Sequence, residues 1–251
     1  FVPVVDHSEE YMNFVFVVLA GAYGYRLYDD IKNRPAGLQK WIDAGDLTGP
    51  EVGLSSFESF MSRGIIIAPA YLMLEHIHLM AEAMGLGSIM FGGYTGEVML
   101  GVTPMSPGLG ARVAKDAEGN SYAVGIDGFF GAYCPPYYKT MDDAVDAFVE
   151  KKFGPESPLG PDYKGVLPFK DEVWEKYKPK YVRPGEKQIQ MVKDFCNYVY
   201  DTYGKFPATV NTKMIPVWLQ VHHLDCDFYD KYFKPGFITE AHRKHMDIWH
   251  G

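Results

Sequence analysis

Five glycines fall within twelve residues in the stretch Gly85-Leu86-Gly87-Ser88-Ile89-Met90-Phe91-Gly92-Gly93-Tyr94-Thr95-Gly96. A helix cap accounts for Gly85. The adjacent pair Gly92-Gly93 is more than a turn requires. Bare Cα atoms let backbone N–H groups approach a flat ligand that a Cβ would hold off. Gly87, Ser88, Gly92 and Gly93 are therefore candidate binding residues. Just upstream lies a second constellation, of acid and imidazole. Glu75 and His78 stand three apart, with Glu82 one turn further. Glu-x-x-His is half of a di-iron bundle site, which needs a second copy of the motif, and the sequence has none. Metal ligation by Glu75, His78 and Glu82 therefore competes with ordinary hydrogen bonding along a helix. The tail adds His222, His223, Asp225, Cys226 and Asp227, then His242, His245 and His250. These are ligand types, but neighbours on a helix diverge by about 100°. A solvated face or a partner contact competes there too. Cys134 has no local histidine to act as its base and reads as a structural thiol. Gly108-Leu109-Gly110 lacks the Gly-Lys that would make it a phosphate loop.

These residues need elements to position them. Pro69 suits the first turn of a helix and Gly85 its C-terminal cap. The apolar spacing between them predicts a buried helix over 69–84. The β-branched and aromatic run from Asn13 to Tyr25 predicts a buried strand. Residues 120–129 predict a second strand after the Glu118-Gly119-Asn120 turn. Met141–Gly154 is an amphipathic helix, with acids in its first turn and lysines in its last, as the helix dipole favours. Shorter helical pieces are expected at 37–44 and 55–61. Residues 154–186 are rich in Pro, Gly and Lys and predict an extended arm. A helix follows from Glu186 to Tyr203. The tail predicts a helix around 216–233 and a short one from Thr239.

The totals set outer limits. The 251 residues, 47% apolar, can bury a sizeable core. A net charge of −8 argues against non-specific nucleic-acid binding. Three separated cysteines predict reduced thiols in a cytoplasmic protein rather than a disulfide framework. The longest apolar run, Phe14–Tyr23, is about half of what a membrane helix needs, so no membrane partner is expected. The opening at Phe1 rather than Met leads us to expect a piece of a longer polypeptide.

The segment AEAMGLGSIMFGGYTGEVM resembles the central segment of the nitroreductase family of FMN-dependent enzymes. There a helix ends in a Gly-Leu-Gly-Ser-like sequence, followed by a short apolar strand and a Glu-Gly-like pair. Asn13–Gly21 and Tyr122–Phe129 resemble the strands on either side, so the resemblance spans about residues 13–150. It implies an α+β fold with a small central sheet over residues 1–153 and a C-terminal extension over 154–251. It implies FMN lying against Gly87, Ser88, Gly92 and Gly93, with Lys139 at the phosphate. It also implies reduced nicotinamide as electron donor and an electron-poor organic small molecule as substrate. The family's Arg-rich opening motif has no counterpart before Phe14, and no arginine accompanies Lys139. A flavin-free structural or binding subunit and a metal-binding protein therefore stand as alternatives. The extension implies a homodimer, or a subunit of a larger assembly, joined through Phe206, Trp218, Phe228, Tyr229, Tyr232 and Phe233.

Overall fold

The computed structural model describes residues 1–251 except 2, 22–23, 92–94, 158, 161, 164–169, 178–182, 213–217, 223 and 251. The fold is mixed α+β. Along the chain the order begins α1 (His7–Val15), β1 (Arg26–Asp29), β2 (Arg34–Pro35), α2 (Gln39–Asp43), β3 (Glu51–Gly53), α3 (Leu54–Phe60), α4 (Ile67–Ala83), β4 (Gly87–Phe91) and α5 (Gly96–Leu100). It continues β5 (Ala111–Lys115), β6 (Ser121–Ile126), β7 (Phe130–Gly131), α6 (Met141–Phe153), α7 (Asp171–Tyr177), α8 (Glu186–Tyr203), β8 (Trp218–His222), α9 (Cys226–Tyr232) and α10 (Glu240–Trp249). The described strands form three small sheets, ordered β2-β1-β3, β4-β8 and β5-β6-β7, rather than one central sheet.

Two compact units interleave along the sequence. Unit 1 is residues 1–5, 63–109 and 213–251; unit 2 is residues 6–62 and 110–212. A division at 153/154 runs through the middle of unit 2.

Unit 2 is built on α1, α6 and α8. The run expected to be a strand from Asn13 is helical: α1 continues as a π-helical turn over Phe16–Ala20. The helix is nucleated upstream, where the Asp6 carboxylate accepts from the N–H groups of Ser8 and Glu9. Tyr11, Met12, Val15, Phe16 and Leu19 then repeat at helical spacing and are all buried. Packing against α6 and α8 outweighs the strand propensity of Val17 and Val18. Helix α6 matches its sequence signals. A Thr140–Asp143 capping box opens it, and its buried face is Met141, Ala144, Val145, Phe148 and Val149. Phe148 stacks on Phe16 with ring centroids 5.6 Å apart. Each such fully buried apolar side chain is worth about 1.5–3 kcal/mol. Helix α8 buries Ile189, Val192, Phe195, Cys196 and Val199 and stops at Gly204, whose φ is +67°.

Two buried carboxylates pin unit 2 together. Asp29 accepts from the hydroxyls of Tyr198 (2.6 Å) and Tyr203 (2.8 Å) and from the N–H groups of Ile31 and Lys32. Burial alone would push its carboxyl up, but these donors outweigh burial and hold it below the ordinary range. Glu58, on α3, has no exposed surface. Its oxygens accept from Tyr11 Oη (2.9 Å), Ala208 N (2.9 Å), Thr209 N (2.5 Å) and the Thr209 hydroxyl. Here burial wins, and the carboxyl sits above its ordinary range despite four donors.

Unit 1 is built on α4, the β4-β8 ribbon, α9 and α10. Helix α4 lies where the sequence predicts it, but it is not a buried helix. Only Ala70, Leu74 and Ala81 are buried along it. Together with α3 and the π-helical turn Met61–Ile66 it makes a continuous helical stretch, Leu54–Ala83. That stretch is long and apolar enough to cross a membrane by length and composition, and 22% of its most apolar window is buried. Part of the predicted tail helix is instead strand β8, which pairs antiparallel with β4, Gly87 opposite His222 and Phe91 opposite Trp218. Phe206, expected on a contact surface, is buried in unit 2.

Candidate functional site

The glycine-rich segment takes its geometry from the end of α4. Gly85 follows the last helical turn with φ +76°, a left-handed conformation that favours glycine. A Cβ there would strike the Ala241 carbonyl and His245 Cβ of α10. Gly85 is thus bare because a helix packs on it, and no ligand is needed to explain it. The tail is also held by one close polar contact and one ion pair. His242, buried, accepts at Nδ1 from the Thr239 N–H (3.1 Å), which leaves its proton on Nε2. That nitrogen lies 3.0 Å from Glu82 Oε2, a close contact too oblique for an aligned hydrogen bond. Arg243 forks onto both carboxylate oxygens of Asp230 on α9.

The turn at Gly85 and Leu86 reverses the chain and lays β4 against α4. This brings Ser88 Oγ, at the start of the strand, onto His78 Nδ1 of the helix. Both residues are half-buried. The next three side chains, Ile89, Met90 and Phe91, are 53%, 40% and 44% exposed. A polar pair thus sits at one end of a short apolar strand. Chemically, the pair can pass a proton between Oγ and the imidazole, or present the other ring nitrogen to a ligand. Nucleophilic activation of Ser88 would also need an acid orienting that nitrogen. Among the described residues none does so.

Of the residues singled out from sequence, Gly87 is buried at the start of β4 and Ser88 meets His78. Gly92 and Gly93 lie outside the described residues. Glu75 is exposed, His78 is engaged with Ser88, and Glu82 with His242. Among the described residues no group of three or more His, Cys, Asp or Glu side chains could hold a metal ion. Cys134 is buried, and burial pushes its thiol up to about 12, too high for a thiolate at neutral pH. Gly108 packs its backbone against that of Gly101, and its N–H donates to Ser106 Oγ (3.0 Å).

Lys139 belongs to unit 2, whereas Ser88 belongs to unit 1. It is exposed, immediately before the N-cap of α6. That helix start does not fit a phosphate. The Thr140–Asp143 box engages two of its free N–H groups, those of Thr140 and Asp143, and Asp142 and Asp143 place two negative charges in the first turn. The phosphate role that the resemblance implies for Lys139 is therefore not supported by its surroundings.

The pair His78–Ser88 is what sequence reasoning missed. Its signal was the glycine-flanked reversal at 85–87, which folds a strand back along the helix before it. Comparison with protein-family models, with curated proteins and with solved structures gave no match.

Proposed function

We propose that this chain is a redox protein of nitroreductase-like class that binds a flavin along β4 and reduces an electron-poor organic molecule with electrons from a reduced nicotinamide. One observation carries the reading: α4 turns at Gly85 straight into β4, setting the Ser88–His78 pair on the strand face that continues into Met90, 40% exposed, with Ile89 and Phe91 exposed on the other face. A flat ring with a polar edge matches that sequence of surfaces. A bound flavin would supply the two-electron chemistry. Ser88 would orient its edge, and His78, the titratable side chain bonded to Ser88, would hold or release a proton there. The flavin-free binding subunit is the second reading, favoured by the acidic, self-capped start of α6 beside Lys139.

The purified protein and its Ser88→Ala and Lys139→Ala variants are titrated with FMN and with riboflavin, with visible absorption as readout. Both flavins should bind the wild type. Loss of one hydrogen bond, worth about 0.5–1.5 kcal/mol, should weaken both at Ser88→Ala about twofold to tenfold. Lys139→Ala should leave both affinities unchanged. A colourless protein that binds neither flavin ends the flavin reading and leaves the binding subunit.

A further inference from the structure

Glu58 has no exposed surface, and the groups that meet its carboxylate carry no positive charge. They are the Tyr11 hydroxyl of α1, the N–H groups of Ala208 and Thr209, and the Thr209 hydroxyl. A buried carboxylate without a counter-charge is costly to ionise, and the cost is relieved by bringing water to it. Three walls keep water out, and they are not equally fixed. On α1, Tyr11, Met12, Val15 and Phe16 are buried; on α3, Leu54 and Phe57 are. The third wall is the segment that follows α8. Phe206 and Ala208 are buried, but Thr209 and Asn211 are exposed, and residues 204–212 form neither helix nor strand. Its consecutive N–H groups at Ala208 and Thr209 are both spent on Glu58. We infer that Glu58 is the catch of a proton-operated strap: with the carboxyl neutral, residues 208–212 are held down on α1 and α3, and when it ionises they lift beyond the Phe206 anchor while the helices stay packed.

The Thr209 hydroxyl lets the neutral form keep its partners. It can turn and accept the carboxyl proton, which a backbone N–H cannot do. Burial pushes the Glu58 carboxyl above its ordinary 4.5, so the catch opens above that pH. The other titratable groups around it are Tyr11 and, on α8, Tyr203 and Cys196. Burial raises each of these above its ordinary range, so they stay neutral where Glu58 ionises. Asp29, behind Tyr203, is held below its ordinary range by its donors and is already ionised there. The strap ends where unit 2 ends, at Thr212, and the chain runs on to β8, the strand that pairs with β4. The catch therefore sets how much slack the chain has on the way to that strand. This inference does not rest on the flavin reading.

The test compares wild type with Glu58→Gln by amide exchange from pH 4.5 upward, corrected for the intrinsic pH dependence of free-amide exchange. In wild type the opening read at Ala208 and Thr209 should grow by up to about tenfold per pH unit, because opening releases one proton. It should level off once the closed state is ionised as well. Glu58→Gln keeps the shape and cannot ionise, so its strap should open to the same extent at every pH. Val145 and Val149 of α6, buried in the same unit, should show no such growth in either protein. A flat wild-type profile at the strap, the same growth in Glu58→Gln, or α6 amides opening in step with the strap would each overturn the inference. If Glu58→Gln fails to fold, a carboxyl-carbon NMR titration of wild-type Glu58 decides. Strap opening that levels off where Glu58 titrates supports the catch, and levelling off at any other pH overturns it.

Discussion

Glu58 is the residue on which most depends in unit 2. It joins α3, Tyr11 of α1 and the segment Ala208–Thr209 through one buried carboxylate. Glu58→Ala strands four donors in the interior, so a loss of about 3 kcal/mol or more is expected in urea unfolding. The pH dependence has a definite sign. Burial raises the folded-state carboxyl above its ordinary 4.5, so the folded state holds the proton more tightly than the unfolded chain. The stability this contributes is fully present below about pH 4.5 and is lost as pH rises through the raised value. Glu58→Gln cannot titrate. The wild type's stability relative to Glu58→Gln should therefore fall as pH rises above 4.5, and a difference that rises instead would reverse the assignment. Asp29 shows the opposite outcome of the same physics, because two tyrosine hydroxyls and two backbone N–H groups reach it.

Between elements, the junction of α4 and α10 depends on a missing Cβ. Gly85→Ala meets two costs: a positive φ and a collision with Ala241 and His245. Gly119 has φ +85° and open space around its Cα, so Gly119→Ala isolates the first cost, about 1–2 kcal/mol. Gly85→Ala should lose more than Gly119→Ala. It should also speed tryptic cleavage at Arg243 and Lys244 as α10 lifts away, while Gly119→Ala leaves that cleavage unchanged. Equal destabilisation by the two variants would mean that α10 does not pack on Gly85.

For the whole molecule, unequal burial implies unequal stability. Trp41 and Trp174 report on unit 2, and Trp218 and Trp249 on unit 1. Removing either pair by Trp→Phe leaves fluorescence from one unit. The unit 1 signal should unfold at lower urea than the unit 2 signal, because unit 1 buries fewer of its described apolar side chains. Coincident transitions would contradict the division.

What the sequence determined by itself was local. Helices α6 and α8 were legible because an amphipathic stripe, a Thr140–Asp143 box and a glycine stop act within a few residues of one another. The cap at Gly85 and strand β6 were legible for the same reason. What only the tertiary structure decided was non-local. The Phe14–Val18 run has strand propensity, yet it is helical because α6 and α8 offer a face at 3.6-residue spacing. Residues 218–222 became a strand because β4 supplies its hydrogen bonds from more than a hundred residues away. The Ser88–His78 contact exists because the chain reverses at Gly85 and Leu86. Helix α4 was read as buried because it is apolar around much of its circumference. Apolar composition fixes that a surface must be covered, but the covering atoms come from whatever packs against it, and one chain's sequence does not encode that distance.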